Sequence, residues 1–172
     1  MTETAAVVKK FPTLCFLGHS RCGKDTAGLF LTSLFDVRFV GSSSYAMRHY
    51  VAEKLGVDVE IAWNDRHKNR EQWKQILDDA REVHGYDFCI KEVLKENDIV
   101  AGLRDLRELH EGRKSGLLDL IIWVDNPRQP PDPTVCFGTN NCDIIIENNG
   151  CIRSYYDKLF CLGKAVGLPL RK

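Results

Sequence analysis

The sequence carries no net formal charge, because its lysines and arginines number 24 and its aspartates and glutamates also number 24. Binding of long nucleic acid depends on neutralising many phosphates, so this balance supports nothing more than a local basic cluster for a small anion. No apolar run approaches the roughly 20 residues needed to span a bilayer, and the opening MTETAAVVKKFPT lacks the layout of a signal peptide. The seven cysteines, at 15, 22, 89, 136, 142, 151 and 161, are odd in number and form none of the closely spaced pairs of a structural zinc site. Internal repeats and low-complexity tracts are missing too. These absences exclude a membrane-spanning or disulfide-stapled class. They point to a cytoplasmic protein with reduced thiols and a short N-terminal tail.

What is present is an ordinary globular composition, 44% hydrophobic and 28% charged, which at 172 residues fits one domain covering 1–172. Apolar runs at 13–19, 37–41, 98–103, 117–125 and 142–148 predict strands. Stretches at 24–35, 44–56 and 104–116, two more between 65 and 97 broken near His84-Gly85-Tyr86, and a closing one after Ile152 predict helices. Ser44 starts and Gly56 closes the second of these. The proline-rich segment 127–141 reads as a loop. Near-continuous apolar strands alternating with helices imply a mostly parallel sheet covered on both faces.

One junction carries chemistry. In GHSRCGKDT, residues 18–26, Gly18 and Gly23 let a loop turn its amides toward an anion, and Lys24 adds a mobile positive charge at the start of a helix. The same pattern normally continues with Ser or Thr, whose hydroxyl holds a magnesium ion; here Asp25 takes that place and Thr26 follows. A carboxylate beside phosphates requires positive charge between them. Mg²⁺ accepts one or two carboxylates along with substrate phosphates, so Asp25 and Thr26 are the metal candidates. The alternative role for Asp25 is a general base toward an alcohol acceptor. An accidental glycine turn is the bland reading of the whole stretch.

SRCGKDT resembles the Ser-Gly-Lys-Asp-Thr loop of the deoxynucleoside monophosphate kinases of tailed bacteriophages, a P-loop family in which Asp follows the lysine. DIVAGLRDLRELHEG is similar to a strand and helix of those kinases, and CDIIIENNGCIRSYYDKL to their last strand and helix, with the pattern D-x-x-I-x-N-x-G. Animal-type phosphomevalonate kinases carry a similar loop, so the loop alone leaves the acceptor open. The resemblance implies a three-layer P-loop NTPase fold with five parallel strands in the order 2-3-1-4-5 and a helical acceptor or lid insertion at about 60–86. It further implies ATP as donor, bound by Gly18, Ser20, Arg21, Cys22, Gly23, Lys24, Asp25 and Thr26, with Mg²⁺, and an adenine-wrapping role for the loop 127–141. The host cytoplasm is then the implied location.

A kinase gathers two anions and therefore needs positive charge on the acceptor side. Arg66, Lys68 and Arg70 lie at or before the start of a helix, and Arg81 lies further along it as a lid arginine. Their alternative is a solvated helix face paired with Glu71, Asp78 and Asp79. Arg104 follows the C-terminal end of a strand, where ligands sit in open α/β sheets, and a guanidinium there can grip phosphate in two places. Its alternative is a surface pair with Glu108. Arg48 is the acceptor-side residue of YAMRHY that the resemblance implies. Trp63, Trp73 and Tyr45 are either base-stacking surfaces or core. His49, His67 and His84 form no metal cluster.

The expected reaction moves the γ-phosphoryl of ATP to a deoxynucleoside monophosphate, with Lys24, Asp25, Arg70, Arg81 and Arg104 as the catalytic set. The rivals are a kinase acting on a hydroxymethylated pyrimidine in DNA or on another small acceptor, and an ATP-sensing regulatory protein without turnover. The expected partners are a small nucleotide and, as an option, a second copy of the chain in a homodimer; a membrane is not among them.

Overall fold

The computed structural model describes residues 11–172; the expected N-terminal tail lies outside the described residues. Four strands, β1 (Leu14–Leu17), β2 (Ile99–Ala101), β3 (Leu120–Asp125) and β4 (Ile144–Glu147), form one parallel sheet in the order β2-β1-β3-β4. The register runs Leu14 to Ile99 and Leu120, and Ile122 to Ile144. Helices are α1 (Lys24–Leu34), α2 (Ser43–Ala46), α3 (Arg48–Leu55), α4 (Val59–Asn64), α5 (Arg70–His84), α6 (Phe88–Glu96), α7 (Leu106–Lys114) and α8 (Ile152–Ala165).

Side chains alternate across a strand, and β1 shows why both faces need cover. Leu14 and Phe16 enter one cluster with Leu31 of α1 and Tyr155 and Leu159 of α8, whereas Cys15 and Leu17 enter another with Ile90 and Val93 of α6 and Leu109 of α7. The sheet is thus flanked by helices on both faces. A third cluster of Val51, Ala52, Ala62 and Trp73 holds α3, α4 and α5 together, in the region expected to insert after the second strand.

Among the described residues the sheet has four strands and not the five expected, because 37–41 does not join it. Val37 and Phe39 are buried and Arg38 and Val40 exposed, as in a strand. Yet the segment is held largely by side chains: the Arg38 amide donates to Asp98 Oδ2 at 2.8 Å and the Val40 amide to Asn97 Oδ1 at 2.7 Å. These groups occupy the places of a ladder, and the remaining four strands keep the relative order expected of them. The helix expected at 44–56 is two pieces meeting at Met47, closed as expected by Gly56 at φ +67°. Ser44, the expected cap, lies inside α2, whose N-cap is Ser42 without a side-chain bond; Ser43 Oγ donates to the buried Ala101 carbonyl at 2.7 Å and ties α2 to β2. β4 is an edge strand buried on one face only, with Ile146 covered and Ile145 exposed.

Candidate active site

Residues 18–23 connect β1 to α1 at the C-terminal ends of the parallel strands. Gly18 has φ +136° and Gly23 φ +111°. A Cβ on Gly18 would lie 2.6 Å from the Val124 carbonyl oxygen, and one on Gly23 would lie 2.7 Å from Asn148 Nδ2. Backbone sign and close packing therefore both require glycine. Arg21, at φ 60°, is the non-glycine residue with positive φ among the described residues. It and Ser20 are exposed.

The loop is clamped from behind by the last strand and helix. Asn148, just after β4, donates from Nδ2 to the Cys22 carbonyl at 2.9 Å, and Tyr155 of α8 donates from its hydroxyl to the Gly23 carbonyl at 3.0 Å. Burial and the neighbouring Cys22 push the Tyr155 phenol up, so it stays a donor. Lys24 Nζ donates to the Gly18 carbonyl at 2.9 Å and to the His19 carbonyl, and lies 3.5 Å from Cys22 Sγ. Its ammonium thus sits inside the loop. Burial raises the Cys22 thiol and Lys24 only partly offsets it, so the sulfur is a packing atom. Gly23 is the N-cap of α1 and no side chain caps that helix, which leaves its positive dipole end to a ligand.

Asp25, exposed in the first turn of α1, borders a cavity of about 240 Å³. Leu29, Phe39, Tyr45, Trp63 and Arg66 form its other main walls. Tyr45 and Trp63 meet edge to face with centroids 5.0 Å apart. The Arg66 guanidinium lies 4.6 Å from the Trp63 ring, and the Arg48 guanidinium 3.8 Å from that of Tyr45 while donating to the Tyr45 carbonyl.

The arginines converge here. Burial lowers the Arg66 pKa, and the charges of Arg70 and Arg104 lower it further, opposed by Asp25. Arg66 Nε is buried without a partner. Arg104, in the turn after β2, donates from Nη1 to Asp132 Oδ2 at 3.1 Å and to Thr134 Oγ1. Burial alone would raise the Asp132 carboxyl, but the Thr134 bonds and the charges of Arg104 and Arg70 hold it below its ordinary value. The Asp132 amide in turn donates to His19 Nδ1 at 3.1 Å, and the His19 ring packs edge-on against Trp123. The proline-rich loop is thereby fastened to the glycine loop.

Three expected site residues lie elsewhere. Lys68 is exposed and paired with Asp65 at 2.8 Å. Trp73 is 3% exposed within the third core cluster, so it packs α5 against α3 and α4 and offers no stacking face. Arg81 does not reach toward the loop; it turns inward to Asp78 at 2.8 Å and to buried Glu108 at 3.4 Å. Glu108 therefore pairs with Arg81 and not with Arg104. Sequence reasoning missed Asn148, Tyr155, His19 and Asp132, and offered Glu108 only as a surface partner of Arg104. Only Asn148 carried a signal, the N-x-G after the last strand.

Among the described residues no group of three His, Cys, Asp or Glu side chains could enclose a metal ion. Asp25, exposed in the first turn of α1, offers a carboxylate that fits a hard cation taking its other ligands from water and phosphate, to which Thr26 would add a hydroxyl. The chain matches no family model, and no curated protein matches it. Among the described residues no helix is long and apolar enough to cross a membrane.

Proposed function

We propose that this protein is a three-layer P-loop kinase that transfers the γ-phosphoryl of ATP to a deoxynucleoside monophosphate. The observation that carries the reading is the gathering of Arg70 and Arg104 about Arg66, which shares an aromatic-walled cavity with Asp25 beside a clamped glycine loop. Arg70 and Arg104 disfavour the charge of the half-buried Arg66, so the cluster is set up for a polyanion, whose arrival turns repulsion into attraction.

In this reading Lys24, the loop amides and the α1 dipole hold the outer phosphates of ATP. Tyr45 and Trp63 pack against the acceptor base, with the Arg48 guanidinium stacked on Tyr45 and that of Arg66 beside Trp63 within the cavity. Arg70 and Arg104 neutralise charge on the moving phosphoryl group, for which Arg104 exchanges Asp132 for a phosphate oxygen. Asp25 and Thr26 would hold Mg²⁺, which supplies charge neutralisation between the phosphates. A phosphate acceptor is already anionic, so no general base is required, and Asp25 serves the metal. Helices α3–α5 form the lid side and exclude water.

The test is a panel of deoxynucleoside monophosphates, ribonucleoside monophosphates and hydroxymethylpyrimidine DNA, incubated with labelled ATP and Mg²⁺. Conversion of a deoxynucleoside monophosphate to its diphosphate is expected; labelling of the DNA alone would overturn the acceptor, and absence of any transfer would overturn the kinase. Asp25→Ser is expected to retain much of the rate at raised Mg²⁺. A collapse that Mg²⁺ does not relieve would make Asp25 the base.

A further inference from the structure

Outside that site, a buried ion pair joins α5 to α7. Glu108 is 1% exposed, and its Oε2 accepts from Arg81 Nη2 at 3.4 Å. Arg81 is also bound to Asp78 on its own helix. Glu108 Oε1 and Arg81 Nε are buried with no partner. The other titratable groups facing the carboxylate are Asp78 from α5, Asp105 at the N-cap of α7, Cys15 of β1 and Cys89 of α6. A half-satisfied buried pair is poor stabilisation, since apolar residues of equal volume commonly do better. Stability does not account for it.

Its place in the chain suggests what does. Arg70 is the first residue of α5, and Arg81 lies about 16 Å further along that helix on nearly the same face. Glu108 lies in the first turn of α7, four residues after Arg104. One ion pair thus ties together the two segments that carry the converging arginines. We propose that Arg81 and Glu108 are positioning residues that hold α5 against α7 so that Arg66, Arg70 and Arg104 meet on one phosphoryl group; this rests on the kinase reading. Mutual repulsion among the three arginines pushes the two segments apart, and the Arg81–Glu108 attraction opposes it. Only ionised Glu108 supplies that attraction. Burial raises its pKa to about 7, with Arg81 lowering it only in part, so mild acid loosens the site.

Steady-state kinetics of wild type, Glu108→Gln and Arg81→Lys from pH 6 to 8 test this. In Glu108→Gln, kcat is expected to fall on the order of ten- to a hundredfold, as misplaced arginines imply. Its KM for ATP should stay within about twofold, because the glycine loop is clamped separately by Asn148 and Tyr155. The acid limb of the wild-type kcat profile should vanish in Glu108→Gln and persist in Arg81→Lys, which keeps the charge. Unchanged kcat, or an acid limb that survives Glu108→Gln, overturns the proposal. Sulfate binding, followed by tryptophan fluorescence at pH 6 and 8 with Arg104→Met as the site control, separates the two readings. If wild type transfers no phosphoryl group, the kinase reading fails alone, and the proposal stands if Glu108→Gln weakens sulfate binding more at pH 8 than at pH 6. Equal sulfate binding by wild type and Glu108→Gln at both pH values overturns the positioning role.

Discussion

Replacing Asn148 with Ala removes the donor that holds the Cys22 carbonyl at 2.9 Å. Cys22 is 1% exposed, so its carbonyl has little access to replacement water. Leaving such an acceptor unpaired costs about 1–3 kcal/mol, and in a chain of this size about 2 kcal/mol lowers the melting temperature by roughly 4–8 °C. The functional loss should be of similar size, because an unclamped loop must be reordered by the ligand: ATP affinity should fall on the order of tenfold. Tyr155→Phe is the control. The Gly23 carbonyl it bonds also accepts from the Ala27 amide at 2.9 Å, so removing the hydroxyl should cost no more than about 1 kcal/mol. Urea denaturation and calorimetric titration with ATP measure both quantities. An Asn148→Ala protein with wild-type midpoint and wild-type ATP affinity would refute the clamp.

Two further predictions separate architecture from chemistry. Glu108 holds its proton more tightly when folded, at about 7, than at its ordinary 4.5. Between these values the folded state therefore binds more protons, so this contribution to stability is full in acid and is lost as pH rises through 7; relative to Glu108→Gln, wild type should lose about 3 kcal/mol between pH 4.5 and 8. Parallel denaturation profiles would contradict this. Trp73→Phe should lower stability by about 1–2 kcal/mol and leave the acceptor KM alone, whereas Trp63→Ala should raise that KM about tenfold by removing one stacking face. The reverse pattern in steady-state kinetics would place the base at Trp73.

Much of the fold was legible because strands and helices differ in the period of their apolar residues, and that period reports burial. It does not report pairing. Val37 and Phe39 alternate inward as a strand does, but whether the backbone between them finds a ladder depends on the residues that arrive 60 positions later. Those are Asn97 and Asp98, whose side chains take the hydrogen bonds. Ser44 failed as a cap for the same reason: Ser43, whose hydroxyl bonds the carbonyl of Ala101 in another element, already belongs to the helix, which therefore starts before Ser44. Gly56 succeeded because closing a helix with a left-handed residue is a local matter.

The candidate site divides along the same line. The glycine loop could be read because its chemistry lies within nine consecutive residues, and Arg104 because it follows a strand end, whereas Arg66, Arg70 and Arg81 could not be told apart on one charged stretch. Arg70 and Arg81 even share nearly one face of α5, and what separates them is distance along the axis: one end of the helix lies near Arg66 and Asp132, the other reaches Glu108 of α7. Sequence offered Arg104 the partner Glu108, four residues on, as a helix surface would. The fold instead gives Arg104 to Asp132, which the proline-rich loop carries back to His19, and gives Glu108 to Arg81. Both exchanges run in one direction. Arg104 keeps a half-exposed guanidinium on its partner Asp132, while Arg81 is sealed into a buried pair, so on the proposed reading the first is free to grip an anion and the second fixes the frame that grips it.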